Sequence, residues 1–399
     1  MSLDLTTFDA ALKQHYLPIR VENMVYKENP LLAMLAKYES FGGKNMPIPL
    51  TYANPQNRSS TFATAQAGAT TSKHIDFVIT RTHDYSLAFI DNETIEASQG
   101  NSNAFMEAVT SEIDNAFHSI TRSLAVSLYG TGGGSIGRVA NGSFAGTTLT
   151  LVNTEDVTNF EVGMILKTDA VDGTGTENAG ELSVVAVNRD SGAVELSGAL
   201  STWSGVATND YIFQKGDYGQ KIKGLQAWIP AVAPTGGDNF FSVDRSVDAT
   251  RLAGIRIDGS ALPIEEALVK ASARLAREGG RPDVVYMGFS KYQELVNSLG
   301  SKVQYIEHKV GEIGFEGVMV HGPKSKIKVI PDTNCPSDKA FMLTMNTWKL
   351  YSLKKAPRIL DTDGLKMLRQ GTADGVEVRI GYYAQVACQA PGMNAVITF

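Results

Sequence analysis

The sequence predicts an α+β fold with a small all-β domain inserted near its middle. Three observations carry this prediction: one long helical stripe over 102–129, short strands with glycine-rich turns over about 138–215, and mixed helices and strands after residue 220. The chain has 399 residues, of which 43% are hydrophobic and 20% charged. That is enough for two or three domains with substantial cores.

The first 43 residues are predicted to form an extended arm with short helical pieces. Pro30–Ala36 is one such piece, because proline suits the first turn of a helix. Phe41-Gly42-Gly43 is expected to end it. Lys44–Ala53 follows as a strand, and its two prolines predict an edge position.

A long hairpin is predicted over 44–97. Residues 54–73 are polar or small and form no core, which indicates a mobile loop. After it, apolar residues alternate with polar ones from Ile75 to Phe89, the period of a half-buried strand. Because a hairpin of this length buries little against itself, it needs an external surface, and a neighbouring subunit is one candidate.

The clearest element is a helix over 102–129, about 42 Å long at 1.5 Å per residue. Its apolar residues recur every three or four positions and form one stripe: Phe105, Val109, Ile113, Phe117, Ile120, Leu124 and Leu128. We expect this stripe to pack on the alternating apolar face of a C-terminal strand, Val376–Ala387.

The segment 138–215 carries the whole charge imbalance of the chain. It has 4 basic and 10 acidic residues, hence 4 − 10 = −6, and the remaining residues sum to zero. Its short strands and glycine-rich turns predict a small β-barrel or sandwich. Both features indicate a separate module.

After residue 220 the pattern is α/β. A helix is predicted over Pro263–Glu278 and a buried strand over Asp283–Met287. Ser290–Gln293 matches a capping box that would open a further helix. Strands follow near 317–320, 327–330 and 340–345.

No catalytic, cofactor or metal site is predicted. The run Gly130–Gly137 lacks the lysine of a phosphate loop and follows its helix, so it reads as a linker. The six histidines show no metal-binding spacing, and no Gly-x-Ser-x-Gly elbow occurs. Asp361, Asp363 and Asp374 lack the glycine and glutamate of an EF-hand.

Composition excludes other classes of protein. The net charge of −6 is not that of a nucleic-acid reader. Two cysteines, Cys335 and Cys388, make no disulfide framework and read as buried free thiols. The sequence contains no apolar stretch long enough for a membrane span, and its first residues lack the pattern of a signal peptide.

The order of elements resembles the Hong Kong 97-like fold of tailed-bacteriophage major capsid proteins. The most specific stretch is 283–295, followed by 315–320, Lys328-Val329-Ile330-Pro331-Asp332 and 340–343. Ile222-Lys223-Gly224-Leu225 is similar to the family's entry into its axial (A) domain.

This resemblance implies a domain map. It comprises an N-terminal arm (1–43), an E-loop hairpin (44–97), the spine helix of a peripheral (P) domain (98–135), an inserted β-domain (136–217), an A-domain (218–350) and C-terminal P-domain strands (351–399). The inserted domain departs from the basic pattern. The sequence also differs from that pattern because no long helical scaffolding segment is found before the arm.

The resemblance implies a structural, non-enzymatic protein that self-assembles as hexamers and pentamers into an icosahedral shell around phage double-stranded DNA. Expected partners are a portal protein, a decoration protein and a separate scaffolding protein, unless no scaffold is needed; no membrane is expected. DNA would be contacted non-specifically through modest lysine patches, which comprise Lys44, Lys324, Lys326, Lys328, Lys354 and Lys355. The expected location is the virion capsid, after assembly in the host bacterial cytoplasm.

Two alternatives remain at this point, an encapsulin-like nanocompartment shell and an α/β enzyme of unknown chemistry. Some relatives cross-link a hairpin lysine to an asparagine of another subunit. Here the candidates are Lys73 and Asn394, and we expect no cross-link.

Overall fold

A computed structural model describes residues 29–91, 102–299, 306–310, 313–361, 364–369 and 374–399. Its helices are α1 Pro30–Met34, α2 Phe62–Ala67, α3 Ser102–Tyr129, α4 Leu225–Trp228, α5 Ala249–Ala253, α6 Ile264–Arg277 and α7 Phe289–Leu299.

The strands of the first half are β1 Ala36–Tyr38, β2 Asn45–Ala53, β3 Lys73–Thr80, β4 Thr82–Asp91, β5 Ser135–Arg138, β6 Thr148–Thr150, β7 Ile165–Asp169, β8 Leu182–Asn188, β9 Ala193–Leu196 and β10 Tyr211–Gln214. Those of the second half are β11 Asn239–Phe240, β12 Val243–Asp244, β13 Ile255–Asp258, β14 Val284–Met287, β15 Ile306–Val310, β16 Ile313–His321, β17 Lys326–Pro331, β18 Lys339–Leu343, β19 Trp348–Ser352, β20 Arg358–Ile359, β21 Leu368–Arg369, β22 Gly375–Cys388 and β23 Ala395–Thr398.

The first sheet is built around the 14-residue strand β22. Its order is β1-β19-β22-β20, and β4 and β21 also pair with β22. The strand β4 runs antiparallel to β22 from Thr82↔Ala384 to Asp91↔Gly375. The hairpin proper is therefore β2 with β3, and the chain that follows it belongs to this sheet.

The long helix α3 lies on one face of the first sheet, as its stripe predicts. Ile113, Phe117 and Leu124 are buried in the same core as Val376, Val378 and Ile380 of β22. Strand β4 contributes more of the helix contact than β22 does. The stripe residues Phe105 and Val109 lie outside the residues whose side chains are described.

Residues 135–214 form a six-stranded sheet of order β5-β10-β7-β8-β9-β6. A bridge between Val139 and Leu151 joins its two ends, so the sheet closes into a small barrel. The barrel has its own core, which includes Phe160, Leu166 and Trp203. Closure removes the free strand edges that an open sheet of this size would expose.

The second half contains a seven-stranded mixed sheet of order β13-β23-β18-β14-β17-β16-β15. Helix α6 covers one face of it through Leu268, Ala271 and Leu275, with Glu265 and Glu266 in its first turn and Arg274 and Arg277 in its last. That charge distribution suits the helix dipole. The other face contributes Tyr286 and Phe341 to the core shared with α3.

Several local predictions were wrong. The helix at Pro30 ends at Met34, and β1 follows it before Phe41 is reached. Residues 62–67 of the expected loop form α2. Helix α7 begins at Phe289, so Ser290 lies inside its first turn and is not its cap. The glycine-rich run is more than a linker, because β5 begins within it at Ser135.

Candidate assembly surfaces

The base of the hairpin is anchored in the main core. Ile48 of β2 and Phe77 of β3 are buried, and the Phe77 ring lies 5.0 Å from that of Trp228 and 6.3 Å from that of Phe240. The backbone N–H of Val78 donates to the carbonyl of Phe241 at 3.0 Å. The external surface that the hairpin needs is therefore supplied, at its base, by the chain itself.

The tip of the hairpin, residues 54–72, differs from the base. None of its side chains is buried, and Phe62 at the start of α2 is 82% exposed. The tip closes on itself, since the backbone N–H of Gln56 donates to Thr70 Oγ1 at 2.7 Å. The molecule thus presents an exposed aromatic ring at the end of a two-stranded stalk. A nine-residue strand such as β2 spans about 30 Å.

A second exposed apolar surface lies on β4. Tyr85, Leu87 and Phe89 are 51%, 61% and 45% exposed and alternate along one face of the strand. Two of these rings pack directly over glycines of β22. A Cβ at Gly375 would lie 2.7 Å from the Phe89 ring, and a Cβ at Gly381 would lie 2.9 Å from the Tyr85 ring, so neither position has room for a side chain. Within the described residues, no strand pairs with the other edge of β4.

A buried ion cluster joins the barrel to the first sheet and the long helix. Lys221, just after the barrel, is 8% exposed, and its Nζ lies 2.6 Å from Asp84 Oδ2 and 3.1 Å from Asp217 Oδ1. It also donates to Ser123 Oγ of α3 at 2.7 Å. Burial raises the pKa of Asp217 to about 6, although the charge of Lys221 acts in the opposite direction.

A second buried carboxylate holds the start of the described chain. Asp332 is 2% exposed and accepts hydrogen bonds from Tyr129 Oη at 2.8 Å and the Asn334 backbone N–H at 2.9 Å. The backbone of Leu31, in the first turn of α1, also bonds to it. Burial raises the pKa of Asp332 against these hydrogen bonds. Helix α1 is thereby fixed to α3 and to the second half of the chain.

Between α3, the edge of β4 and the barrel lies an open groove of about 850 Å³. Its apolar lining comes from all three walls and includes Leu87, Val126, Ile136, Val162 and Met164. Val162, on the barrel wall, is 66% exposed. At the rim, Glu161 of the barrel pairs with Arg122 of α3 at 2.6 Å and with Arg189 at 3.0 Å.

The two cross-linking candidates are placed very differently. Lys73 is exposed at the start of β3, whereas Asn394 is fully buried. Asn394 Oδ1 accepts from the Thr344 backbone N–H at 2.8 Å and from Trp348 Nε1 at 2.9 Å. Its Nδ2 donates to the Ala390 carbonyl at 3.0 Å. Both ends of this amide are therefore engaged in the core.

The other residues singled out in the sequence are scattered. Cys335 and Cys388 are free and buried, as predicted. Lys328 is buried too, so it contributes nothing to a basic face, whereas Lys354 and Lys355 are exposed. Asp361 pairs with Arg358 at 3.4 Å, and Asp363 lies outside the described residues.

Within the described part of the chain, no three metal-binding side chains cluster. The same part contains no helix long and apolar enough to cross a membrane.

Sequence reasoning missed two features. Phe62 had a signal, since it is the one large apolar residue in a polar stretch of twenty residues. The Lys221 cluster had none, because Lys221 and Asp84 lie 137 positions apart.

About half of the chain is similar to a known protein family. Residues 202–398 match the family model described as SU10 major capsid protein. These residues belong to that family. The chain is thus a structural capsid shell protein and not an enzyme, and the resemblance to tailed-phage major capsid proteins is confirmed.

The fold is similar to that of a solved phage capsid structure. The capsid asymmetric unit of cyanophage A-1(L) aligns with a TM-score of 0.53 at 14% identity, covering 93% of this chain and 92% of that one. A chain of Mycobacterium phage Ogopogo aligns at 11% identity over 93% and 92%, with a TM-score of 0.43. An encapsulin complex from Synechococcus elongatus aligns at 7% identity over 92% and 87%, with a TM-score of 0.42. The last two likenesses are too distant to support an argument. No curated protein matches the sequence.

Proposed function

We propose that this capsid protein assembles as hexamers and pentamers into an icosahedral shell around phage double-stranded DNA. The observation that carries the proposal is the hairpin tip, 54–72, which ends a stalk anchored at its base and has no buried side chain. The 82% exposed ring of Phe62 at the end of this stalk offers apolar area that is removed from water when another molecule covers it. In a shell, a neighbouring copy lies within reach.

The proposed fold is Hong Kong 97-like. In it, the β2–β3 hairpin is the E-loop, and α3 with β4 and β22 forms the P-domain. The seven-stranded sheet with α6 and α7 forms the A-domain, and α1 belongs to the N-terminal arm. The barrel is the inserted β-domain, for which we keep the bounds 136–217.

We further propose that the barrel is an independent module on the outer face of the shell. Segment 138–215 has 4 basic and 10 acidic residues, and its net charge of −6 is repelled by packaged DNA. Its ends lie side by side, since Ser135 pairs with Phe213. Excising the chain between Gly132 and Gly216 should therefore leave the remainder folded. A barrel facing the lumen of an assembled particle would disprove this placement.

The proposed partners are the portal protein, a separate scaffolding protein and a decoration protein. The DNA is contacted without sequence readout, through exposed lysines such as Lys354 and Lys355. Assembly takes place in the host bacterial cytoplasm and ends in the virion.

The test is to delete residues 57–69. Gln56 and Thr70 are already in contact, so a short bridge between them preserves β2 and β3. We expect the variant to unfold at the wild-type temperature but to give no closed particles by negative-stain electron microscopy. Normal shells from the deletion variant would contradict the role of the tip in assembly. Wild-type protein that yields only small uniform particles, the outcome expected of an enzyme, would contradict the shell function itself.

The contents of particles purified from infected cells distinguish the phage shell from the nanocompartment alternative. Double-stranded DNA inside them supports the phage shell, whereas a protein cargo without DNA supports an encapsulin-like compartment.

A further inference from the structure

We propose that the barrel is a movable domain, latched against the second half of the chain at Asp156 and released when this carboxyl group ionises. The latch is a property of the single subunit, so it goes beyond the proposed shell function and does not depend on it. The barrel has a core of its own, a mostly acidic seam toward the second half, and glycines at its root.

The barrel shares no apolar core with the rest of the described chain. Its buried apolar residues, among them Phe160 and Trp203, form a cluster separate from the two other cores. Toward α3, the groove of about 850 Å³ intervenes and is bridged at its rim by the exposed pair Glu161–Arg122. Because an exposed ion pair contributes little stability, the body of the barrel is held weakly enough to move as a unit.

A seam of polar groups lies between the barrel and the second half of the chain. Ser290, in the first turn of α7, donates from its Oγ to Glu155 Oε2 at 3.3 Å. Asp156, the next residue of the barrel, is half-buried, and the charges of Asp338 and Lys339 at the start of β18 act on it. Lys339 is itself paired with Asp338 at 2.9 Å. Three acidic groups thus face one another in the seam with one cation among them.

Ionisation of Asp156 is unfavourable while the seam is closed. Burial raises the pKa of Asp156 to about 7; the hydrogen bond from Asn153 and the charge of Lys339 act against burial, and the charges of Asp338 and Glu155 act with it. In the open position the pKa returns to its ordinary value near 4. Closure is therefore strongest at low pH, weakens as the pH rises from about 4 to about 7, and is weakest above 7. Because Asp156 is partly exposed, we expect the closure equilibrium to fall by on the order of a hundred-fold over this range.

The root of the barrel supplies a hinge. Lys221 fixes the root to β4 and α3 through Asp84 and Ser123. Between this fixed part and the body of the barrel, the chain passes through Gly134 on the way in and Gly216 on the way out, with φ of 90° and 93°. Glycine adopts this left-handed region without strain and also leaves it easily, so small backbone changes at these two positions would swing the barrel.

The test measures the distance between the barrel and the second half in dilute, unassembled full-length protein. Val185 on the barrel and Val269 on α6 are 56% and 49% exposed, and neither lies in the seam. Spin labels on Val185→Cys and Val269→Cys report this distance by double electron–electron resonance, and the natural cysteines are buried and stay unlabelled. We expect a narrow distance distribution at pH 5 and a broad one at pH 8. A narrow distribution at both pH values, or a broad one at both, would overturn the latch.

Two substitutions in the seam locate the switch. The carboxamide of Asp156→Asn occupies nearly the same space as the carboxyl group and cannot ionise, so the distribution should stay narrow at pH 8. Asp338→Asn removes a like charge that faces Asp156, and it does so at an exposed position where the fold tolerates the change. It should reduce the broadening at pH 8 without abolishing it.

The matched control removes a negative charge from the barrel outside the seam. Glu181 is exposed and pairs with Lys215 at 2.8 Å, and Glu181→Gln should leave the pH response of the labelled protein unchanged. Full broadening of the Asp156→Asn protein at pH 8, or equal suppression of the broadening by Glu181→Gln, would overturn the assignment of the switch to Asp156. Shell formation by the wild-type chain is independent of each of these results.

Discussion

Replacing Phe117 by alanine tests how the long helix is held. Phe117 is 6% exposed and belongs to the core that α3 shares with Val376 and Val378 of β22. Truncating a buried phenylalanine removes its transfer free energy and leaves a cavity, at a cost of about 3 to 5 kcal/mol. A folded domain is stable by only about 5 to 15 kcal/mol, so a large part of the stability is lost.

We therefore expect Phe117→Ala protein to be largely insoluble, with a lowered urea midpoint in the soluble fraction. Ser119→Ala is the control, because Ser119 lies on the same helix and is exposed. It should change the free energy of unfolding by no more than about 0.5 kcal/mol. Soluble Phe117→Ala protein that assembles at normal yield would show that the packing of this stripe contributes much less than the burial implies.

Three further predictions follow from buried groups. Burial raises the pKa of Asp156 to about 7, so the folded state loses stability as pH rises from the unfolded value near 4 through 7. The free energy of unfolding of the Asp156→Asn variant should hence exceed that of wild type by about 2 to 4 kcal/mol at pH 8 and by little at pH 4. Urea unfolding measures this difference, and an equal effect at both pH values would refute the prediction. Lys221→Met leaves two partly buried carboxylates, Asp84 and Asp217, without their buried cation and should cost about 3 kcal/mol at pH 8, by the same assay. Mature particles boiled in detergent should run as monomers, since Asn394 is buried and fully bonded; a ladder would refute this.

Periodicity explains which parts of the fold could be predicted. The bounds of α3 were predicted to the residue, because a stripe repeating every three or four positions is a property of the local sequence. The short strands of the barrel and the α/β order of the second half follow for the same reason. Capsid membership was reached from the order of these elements and confirmed by the family match of residues 202–398.

The strand after the hairpin shows where the local pattern was insufficient. Its alternation predicted a strand from Ile75 to Phe89, but the structure ends β3 at Thr80 and starts β4 at Thr82. Strand β4 then pairs with β22, some 290 positions away. The alternating apolar residues Tyr85, Leu87 and Phe89 are the exposed ones of β4, whereas Ala88 and Ile90 are buried. Alternation therefore identified neither the buried face of this strand nor its partner, because both depend on the sheet that the strand joins.

The sequence by itself thus determined the long helices α3, α6 and α7, many of the strands, the acidic module and the class of protein. Only the tertiary structure decided that the hairpin base packs beside Trp228, that Val139 and Leu151 close the barrel, and that Lys221 meets Asp84. Helical and strand periods arise from backbone geometry within a few residues. Contacts between distant segments depend instead on which surfaces fit and exclude water once the chain has closed long loops.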